Sequence, residues 1–600
     1  MSDRHERSGQ PRRRSGETWD EVSRDPSQVD QTRGQYRKRA PGPRNTGPKT
    51  TTQLVALNHL QQIAGFQRSS APALDQGGAR PQVVPGRLES SFSAAPDRGR
   101  LPAVLVKVPW PILIVLVVQA WLAHKLLRAN TAFSDEALYL WGGHLEWAHW
   151  FNGSQIPVFP AYFSGSPVVY PPLGALADSI GGLLGARLLS MAFMLGVTWL
   201  MWSTTTRLFN RSAGFFAAAL FAVLGPTLKL SAFATYDAMS LFFMALAGWC
   251  AVRAGSSKGV GRWMVIGSVA LVISNAAAYS SAILDPVVIG MVLLTGWPLS
   301  PAKQAVSRAI ALVAYLVAAL ILLFTIGGGL YAVGIDQTVL TRAIGTDAAS
   351  KVLDQAASWT GVVVALAVVG VIIALVLEPM RSRKGLIALL AAAALLVPLE
   401  QARIHTATSL DKHTDMGAWF AAIAAGYAIS KLTGFRRPAV RVVATCLVAA
   451  ALAVPAQTGL RQARALFHAW PNSSGFIAAM RPLIVGTAGN VLVETPSLPE
   501  YYLPQAGSQW QRWSTTGSIR LANGGSISAN VGGVGNVGTY ISFIKKRYFS
   551  VIALEPSPTS AGFESQLINY LQTDPDYATA AQVRYGNSVY DVFVLTAGQK

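Results

Sequence analysis

Apolar residues in this chain are concentrated in long blocks that are separated by shorter polar segments. Between residues 105 and 460 each block is about 20 residues long and contains almost no charged side chain. Because a helix of about 20 apolar residues crosses the hydrocarbon layer of a membrane, each block predicts one membrane span. We predict eleven spans, at residues 105–127, 183–206, 213–231, 237–252, 263–281, 283–299, 309–330, 359–378, 386–400, 416–432 and 440–459.

The basic residues between the spans indicate which side of the membrane each loop faces. Lys and Arg are enriched in cytoplasmic loops, and the alternate loops of this chain are rich in them when the N-terminus is placed inside. These loops contain Arg207 and Arg211; Arg253, Lys258 and Arg262; Lys303 and Arg308; Arg381, Arg383 and Lys384; and Lys431, Arg436, Arg437 and Arg441. We therefore predict a multi-pass cell-membrane protein with a cytoplasmic N-terminus and an extracytoplasmic C-terminal region.

The two ends of the chain differ from the apolar middle and from each other. Residues 1–100 hold 17 Lys/Arg and 10 Asp/Glu without sustained apolar periodicity, which predicts a disordered basic cytoplasmic tail. Residues 461–600 instead predict a small extracytoplasmic α/β domain. Its strand-like runs are Gly489–Glu494, Phe549–Leu554 and Ser588–Thr596, and its helix-like run is Gly562–Thr573.

The overall composition also indicates a membrane protein. The 600 residues are 51% hydrophobic and 13% charged, whereas a soluble protein has about 25% charged residues, so an ordinary soluble enzyme is excluded. Cys250 and Cys446 both lie inside apolar blocks, which excludes a disulfide framework. The net charge of +20 lies mainly in the tail and the loops. We therefore assign it to membrane orientation and predict no nucleic-acid partner.

The first outer loop, residues 128–182, carries the strongest candidate for chemistry. Asp135 and Glu136 lie just beyond the first span in a segment rich in aromatic residues, which is typical of helices in the membrane interface. A carboxylate there could act as a general base, and Asp135 would share a helix face with Tyr139. The alternative is structural: Ser134 caps a helix, whose positive end favours the two acids.

Other polar residues at the ends of the spans have the same two interpretations. Asp237 opens the fourth predicted span, where it is either a helix-start acid or part of a site. Arg187 is a charge inside the second span, so it needs a partner or an anion. Tyr170 precedes the Pro171-Pro172 pair, which fixes an extended entry to that span.

A cationic cluster lies between the ninth and tenth predicted spans. Arg403, Lys412 and His413 beside the bilayer suit a phosphate group at the level of the lipid headgroups, and the alternative is an ordinary charged loop. His405, His413 and Asp415 could form a metal site, although their spacing fits no strong template. We assign no metal ligand and no cofactor from the sequence, and a requirement for a divalent cation stays open.

Several of these motifs, in this order, resemble the GT-C membrane glycosyltransferases. The similarity is greatest to the protein O-mannosyltransferase and aminoarabinose transferase type (glycosyltransferase family 39-like), and it covers residues 105–460. The motifs are Asp135-Glu136-Ala137-Leu138-Tyr139, Pro171-Pro172-Leu173, Ala186-Arg187-Leu188-Leu189-Ser190, Arg207-Leu208-Phe209-Asn210-Arg211, Tyr236-Asp237-Ala238 and Ser409-Leu410-Asp411-Lys412-His413.

This resemblance implies an inverting transfer of a sugar from a polyprenyl-phosphate carrier to a hydroxyl acceptor on the outer face. The acceptor would be a protein, a lipid or a cell-wall glycan, and membrane lipid would surround the enzyme. By the same resemblance, Asp135 maps onto the catalytic carboxylate, with Glu136 beside it, and Asp237 onto a second acid. Tyr170 stands where relatives usually have a basic residue or His.

The remaining cations would then contact the carrier phosphate: Lys412, His413 and Arg403, with Arg187 and the uncharged Tyr170 as further candidates. Two other classes of function stay open. A transporter or flippase would use Arg187 and Asp237 along a path through the membrane. A non-catalytic envelope assembly protein would use the spans only as an anchor for its external domain.

Overall fold

A computed structural model describes residues 110–596, apart from residues 162, 257–259, 297–301, 328, 337, 339–343, 435–436, 529–535 and 559–561. The tail predicted at residues 1–100 lies outside the described residues. The helices up to residue 467 are α1 (Trp110–His124), α2 (Ser134–Asn152), α3 (Tyr170–Leu208), α4 (Arg211–Ala222), α5 (Gly225–Leu230), α6 (Tyr236–Ser256), α7 (Val260–Ala277), α8 (Asp285–Gly296), α9 (Ala302–Gly327), α10 (Gly329–Ile335), α11 (Ala349–Leu377), α12 (Arg381–Arg403), α13 (Leu410–Leu432) and α14 (Pro438–Phe467).

The predicted polytopic helical fold is confirmed, because each of the eleven apolar blocks falls on helix. A helix satisfies its own backbone hydrogen bonds, which is required in hydrocarbon. Among the described residues, six helices are long and apolar enough to cross a membrane: Tyr170–Leu208, Tyr236–Gly255, Tyr279–Gly296, Ala302–Ile326, Ala349–Leu377 and Arg381–Arg403. The number of spans, eleven, stays a prediction.

Helix α3 includes the end of the predicted first outer loop and the whole of the second predicted span. It contains 39 residues, which is about 58 Å at 1.5 Å per residue and longer than the hydrocarbon layer of about 30 Å. The helix is interrupted at Gly181 and at Gly182, whose φ of 61° lies in the left-handed region that favours glycine. The interruption separates the entry segment, residues 170–180, from the part predicted as the span.

Helix α13 lies at the centre of the helical region and is buried along nearly its whole length. Small residues allow its neighbours to approach closely: a Cβ at Gly426 would lie 2.4 Å from the Ala213 carbonyl oxygen, and one at Gly417 would lie 2.7 Å from that of Ala393. The middle of α13 is therefore packed closely against the surrounding helices. The start of α13 carries Lys412.

The C-terminal residues form the predicted α/β region. Its helices are α15 (Ser474–Ile484), α16 (Ser497–Tyr502), α17 (Pro504–Gly507), α18 (Val537–Lys545) and α19 (Phe563–Thr573). Its strands are β1 (Asn490–Val493), β2 (Trp513–Ser514), β3 (Ser518–Arg520), β4 (Ser526–Ser528), β5 (Phe549–Leu554), β6 (Tyr577–Tyr585) and β7 (Ser588–Leu595).

Five of these strands form one mixed sheet in the order β2-β1-β5-β7-β6. The pairs β1–β2 and β1–β5 are parallel, whereas β5–β7 and β6–β7 are antiparallel. Strands β1, β5 and β7 coincide with the three predicted strand-like runs, and helix α19 coincides with the predicted helix-like run. The predicted domain boundary at residue 460 lies within α14, which continues to Phe467.

Candidate functional site

Asp135 lies in the first turn of α2. The helix begins at Ser134, and Glu136 reaches back so that its Oε2 accepts a hydrogen bond from the Phe133 amide at 3.0 Å. This contact fixes the helix start as in a capping box. The positive end of the helix stabilises the Asp135 carboxylate, whose side chain stays 22% accessible.

One ammonium group joins Asp135 to a second carboxylate. Lys412 Nζ donates to Asp135 Oδ2 at 2.9 Å and lies 3.8 Å from Asp237 Oδ2, which also accepts from Thr235 Oγ1 at 2.7 Å. Lys412 and Asp237 are almost fully buried. We refer to Asp135, Lys412 and Asp237 as the acid–lysine cluster. It brings three of the sequence-predicted site residues together from α2, α6 and α13.

A second ion pair beside this cluster was missed by the sequence analysis. Lys229 on α5 binds Asp411, which precedes Lys412 on α13. Lys229 Nζ and Lys412 Nζ lie 4.8 Å and 5.8 Å from the centre of the same Phe233 ring. The available signal was a lone lysine within the block at residues 213–231, because a charge in an apolar block often marks a site.

Two tyrosines lie beside the cluster on its apolar side. Tyr139 and Tyr236 have ring centres 4.8 Å apart, and Tyr139 also packs edge-on against Phe163. Burial raises the pKa of the Tyr139 phenol well above its usual range, and the carboxylate of Asp135 raises it further. Tyr139 therefore stays protonated at neutral pH. Together with Tyr236 and Phe163 it forms an uncharged aromatic surface beside the acid–lysine cluster.

Glu136 and Arg187 form a separate and fully buried pair. Arg187 Nε and Nη2 donate to the two Glu136 oxygens at 2.8 Å and 2.7 Å. The other guanidinium contacts are to the carbonyls of Leu127, Asn130 and Thr131 at 2.8–3.3 Å. A guanidinium has five N–H donors, so this arrangement leaves Arg187 none for a phosphate.

The remaining predicted residues differ in their distance from the cluster. Tyr170 is fully buried at the start of α3, and His413 follows Lys412 in the chain and is half-buried. Arg403 is not brought to the cluster: its guanidinium is 70% exposed and binds Glu400 on its own helix at 2.8 Å and 2.6 Å. His405 contacts the Asp347 carbonyl at 3.0 Å.

In the part of the chain that the structure describes, no group of three or more His, Cys, Asp or Glu side chains is arranged to hold a metal ion.

Comparisons with known proteins identify the fold. The chain is similar to ArnT from Cupriavidus metallidurans bound to undecaprenyl phosphate, with a TM-score of 0.55, 14% identity, and coverage of 81% of this chain and 98% of that one. For the apo state of the same ArnT the TM-score is 0.54 and the identity 14%, with coverage of 82% of this chain and 98% of that one. For the apo form of the Archaeoglobus fulgidus oligosaccharyltransferase the TM-score is 0.50 and the identity 12%, with coverage of 80% of this chain and 75% of that one.

No protein-family model and no curated protein sequence matches the chain. The structural similarity is thus far stronger than the sequence similarity. The chain has the fold of the GT-C membrane glycosyltransferases, as the order of its motifs predicted.

Proposed function

We propose that this GT-C-fold chain is an inverting glycosyltransferase that moves a sugar from a polyprenyl-phosphate carrier to a hydroxyl acceptor on the outer face of the membrane. The observation that carries the proposal is the acid–lysine cluster: an accessible carboxylate, Asp135, lies 2.9 Å from the buried ammonium of Lys412. A base for the acceptor and a cation for the leaving phosphate thus lie side by side. The ArnT structure, whose ligand is undecaprenyl phosphate, supports a lipid-linked donor.

The reaction follows from the chemistry of these two groups. The acceptor oxygen attacks the anomeric carbon of the sugar while the bond from that carbon to the carrier phosphate breaks. Asp135 takes the proton of the acceptor hydroxyl, an effect that is typically worth about 10²–10⁴-fold in rate. The electron pair of the broken bond leaves with the phosphate, and attack from the opposite side inverts the anomeric centre.

Lys412 stabilises the leaving phosphate in this proposal. In the structure its ammonium neutralises Asp135, and a bound phosphate would compete with that carboxylate for it. Moving the ammonium to the phosphate frees Asp135 to accept a proton, so donor binding and base activation are linked. Asp237, held by Thr235, keeps Lys412 nearby during the exchange.

The other predicted residues receive different roles. His413, next to Lys412, and Tyr170, fully buried at the start of α3, are retained as candidate phosphate contacts. Glu136 and Arg187 are structural, because each fully buried side chain is saturated by the other and by backbone groups. Arg403 is placed outside the carrier site, since it pairs with Glu400.

The test is a transfer assay in membrane vesicles that contain the full chain. A panel of radiolabelled polyprenyl-phosphate sugars is offered to the wild type, to Asp135→Asn and to Asp354→Asn. Asp354 is an exposed acid on α11 and serves as the matched control. We expect the wild type and Asp354→Asn to consume one donor and Asp135→Asn to consume it about 10²–10⁴-fold more slowly.

Two outcomes would contradict the proposal. Equal consumption by the wild type and Asp135→Asn would move the base to Asp237. Consumption of no donor by folded and inserted protein would overturn the enzyme assignment in favour of a transporter or an envelope assembly protein.

A further inference from the structure

The loop that precedes Asp135 is bonded to the C-terminal α/β region. The Ala132 amide donates to the Tyr502 hydroxyl at 2.7 Å, and the Ser473 amide donates to Thr131 Oγ1 at 3.0 Å. Tyr502 belongs to α16, and Ser473 immediately precedes α15. The Ala132 backbone and the Thr131 side chain, three and four residues before Asp135, are therefore bonded to a part of the chain more than 300 residues away.

The same helix start contributes to the apolar core of the C-terminal region. Ala132 and Ala137 lie on either side of Asp135 in the sequence, and both are buried in one cluster with Phe476 and Leu498. Methyl groups enclosed in this way are costly to displace, because a shift opens a void in a close-packed core. The backbone on both sides of Asp135 is thus held in the apolar core of the C-terminal region.

Tyr501, the neighbour of Tyr502, contacts the next segment of the outer loop. Its hydroxyl donates to Asp178 Oδ1 at 2.6 Å, and Asp178 Oδ2 lies 2.8 Å from His144 Nε2. Asp178 belongs to the entry segment of α3 and His144 to α2. The two tyrosines of α16 therefore hold the loop before α2 and the segment after it.

The partner of Asp135 is held by a different part of the molecule. Lys412 is at the start of α13, which is buried among the other helices of the membrane region. The distance of 2.9 Å between Asp135 and Lys412 thus depends on how the C-terminal region seats the first turn of α2. A misplacement of about 1 Å at a reacting group can lower a rate by about 10²-fold.

We propose that Tyr502 is a positioning residue for Asp135, and that the C-terminal region acts on the reaction by fixing the first turn of α2. The inference rests on the proposed function for its effect on rate, but its structural part does not. Removing the Tyr502 hydroxyl leaves the buried Ala132 amide without its acceptor, so the loop opens more often.

The test compares Tyr502→Phe with Tyr548→Phe in the purified full-length protein. Tyr548 is in the same region, and its hydroxyl donates to the Arg520 carbonyl at 2.7 Å, so the control also loses one hydrogen bond to the backbone. The first readout is hydrogen–deuterium exchange in the peptide covering residues 128–140. We expect at least tenfold faster exchange in Tyr502→Phe and no change in Tyr548→Phe.

The second readout is the steady-state rate with the polyprenyl-phosphate sugar identified in the vesicle assay. For Tyr502→Phe we expect kcat, normalised to the number of donor-binding sites, to fall about tenfold or more. The donor KM should stay within twofold of the wild type. A merely structural role would lower the amount of folded enzyme and leave kcat per donor-binding site unchanged. Thr131→Val, which removes the acceptor of the Ser473 amide, is a second variant should Tyr502→Phe fail to fold, and it should show the same pattern more weakly.

The outcomes separate this inference from the proposed function. Wild-type exchange and kcat in Tyr502→Phe, with transfer intact, would overturn the positioning role alone. Faster exchange in a protein that transfers no sugar would support the positioning of α2 while contradicting the proposed reaction.

Discussion

Asp135 and Glu136 are adjacent on α2, yet their carboxylates lie in opposite surroundings. Glu136 is fully buried and accepts hydrogen bonds from Arg187 and from the amides of Phe133 and Ala234. Asp135 accepts from the single flexible ammonium of Lys412 and stays 22% accessible. Neighbours on a helix point about 100° apart, so one side chain fastens the loop while the other faces the site.

This comparison shows how to tell a structural ion pair from one that can take part in a reaction. Both pairs are short, with N–O distances of 2.7 Å and 2.9 Å. They differ in unused bonding capacity, because every N–H of Arg187 is committed to a neighbouring protein oxygen whereas Lys412 can exchange one anion for another. An exchangeable partner is what a leaving phosphate requires.

The largest expected effect on stability comes from breaking the saturated pair. Glu136→Gln leaves the buried guanidinium of Arg187 without its counter-charge, which typically costs about 3–5 kcal/mol. We expect a strongly lowered yield of folded protein and a lower unfolding temperature in detergent. Asp135→Asn should cost less, because Asp135 is 22% accessible and Lys412 keeps Asp237 as a counter-charge at 3.8 Å.

A double variant provides the control for this experiment. Glu136→Gln combined with Arg187→Gln removes both charges, so it should recover part of the lost stability. If Glu136→Gln alone unfolds at the wild-type temperature, the assignment of this pair as structural is wrong.

A smaller effect is expected from Lys412→Gln, which removes the exchangeable cation. Charge-assisted hydrogen bonds are worth about 1.5–3 kcal/mol, so donor binding should weaken about 10- to 100-fold. The measurement is the donor dissociation constant in vesicles. Lys351→Gln is the matched control, because Lys351 is half-exposed and pairs with Asp347, four residues earlier in the chain. Equal donor affinity in both variants would remove Lys412 from the carrier site.

The smallest effect is expected from Arg403→Gln. This side chain is a cation near the same predicted outer surface, but it is exposed and its pair with Glu400 spans three residues of one helix. Exposed pairs of this kind are screened by water and contribute little. Donor binding, measured as for Lys412→Gln, should stay within twofold of the wild type, and a tenfold loss would return Arg403 to the carrier site.

The parts of the fold that depend on local pattern could be predicted from the sequence. The apolar blocks gave helices, and the alternation at residues 549–554 and 588–595 gave the paired strands β5 and β7. Asp135, Asp237 and Lys412 were singled out as candidates because a charge beside an apolar block often marks a site. The pairing of these residues could not be predicted, since 277 residues separate Asp135 from Lys412.

Other features depend on three-dimensional packing that a linear pattern does not encode. Lys229 lies in a block predicted as one span, but the helix breaks before Gly225 and Pro226 and places the lysine beside Asp411. Arg187 gives the same signal as a ligand-binding charge until the carbonyls around it are known. Arg403 and Lys412 are nine positions apart, yet the turn between α12 and α13 directs only Lys412 toward Asp135.

Asp135 as the base is tested by measuring donor binding and sugar transfer in the same purified sample of Asp135→Asn. We expect the variant to bind the polyprenyl-phosphate sugar at least as tightly as the wild type, because Lys412 no longer has to leave a carboxylate. Transfer should be about 10²–10⁴-fold slower. Transfer at the wild-type rate, or a loss of binding as large as the loss of transfer, would contradict Asp135 as the base.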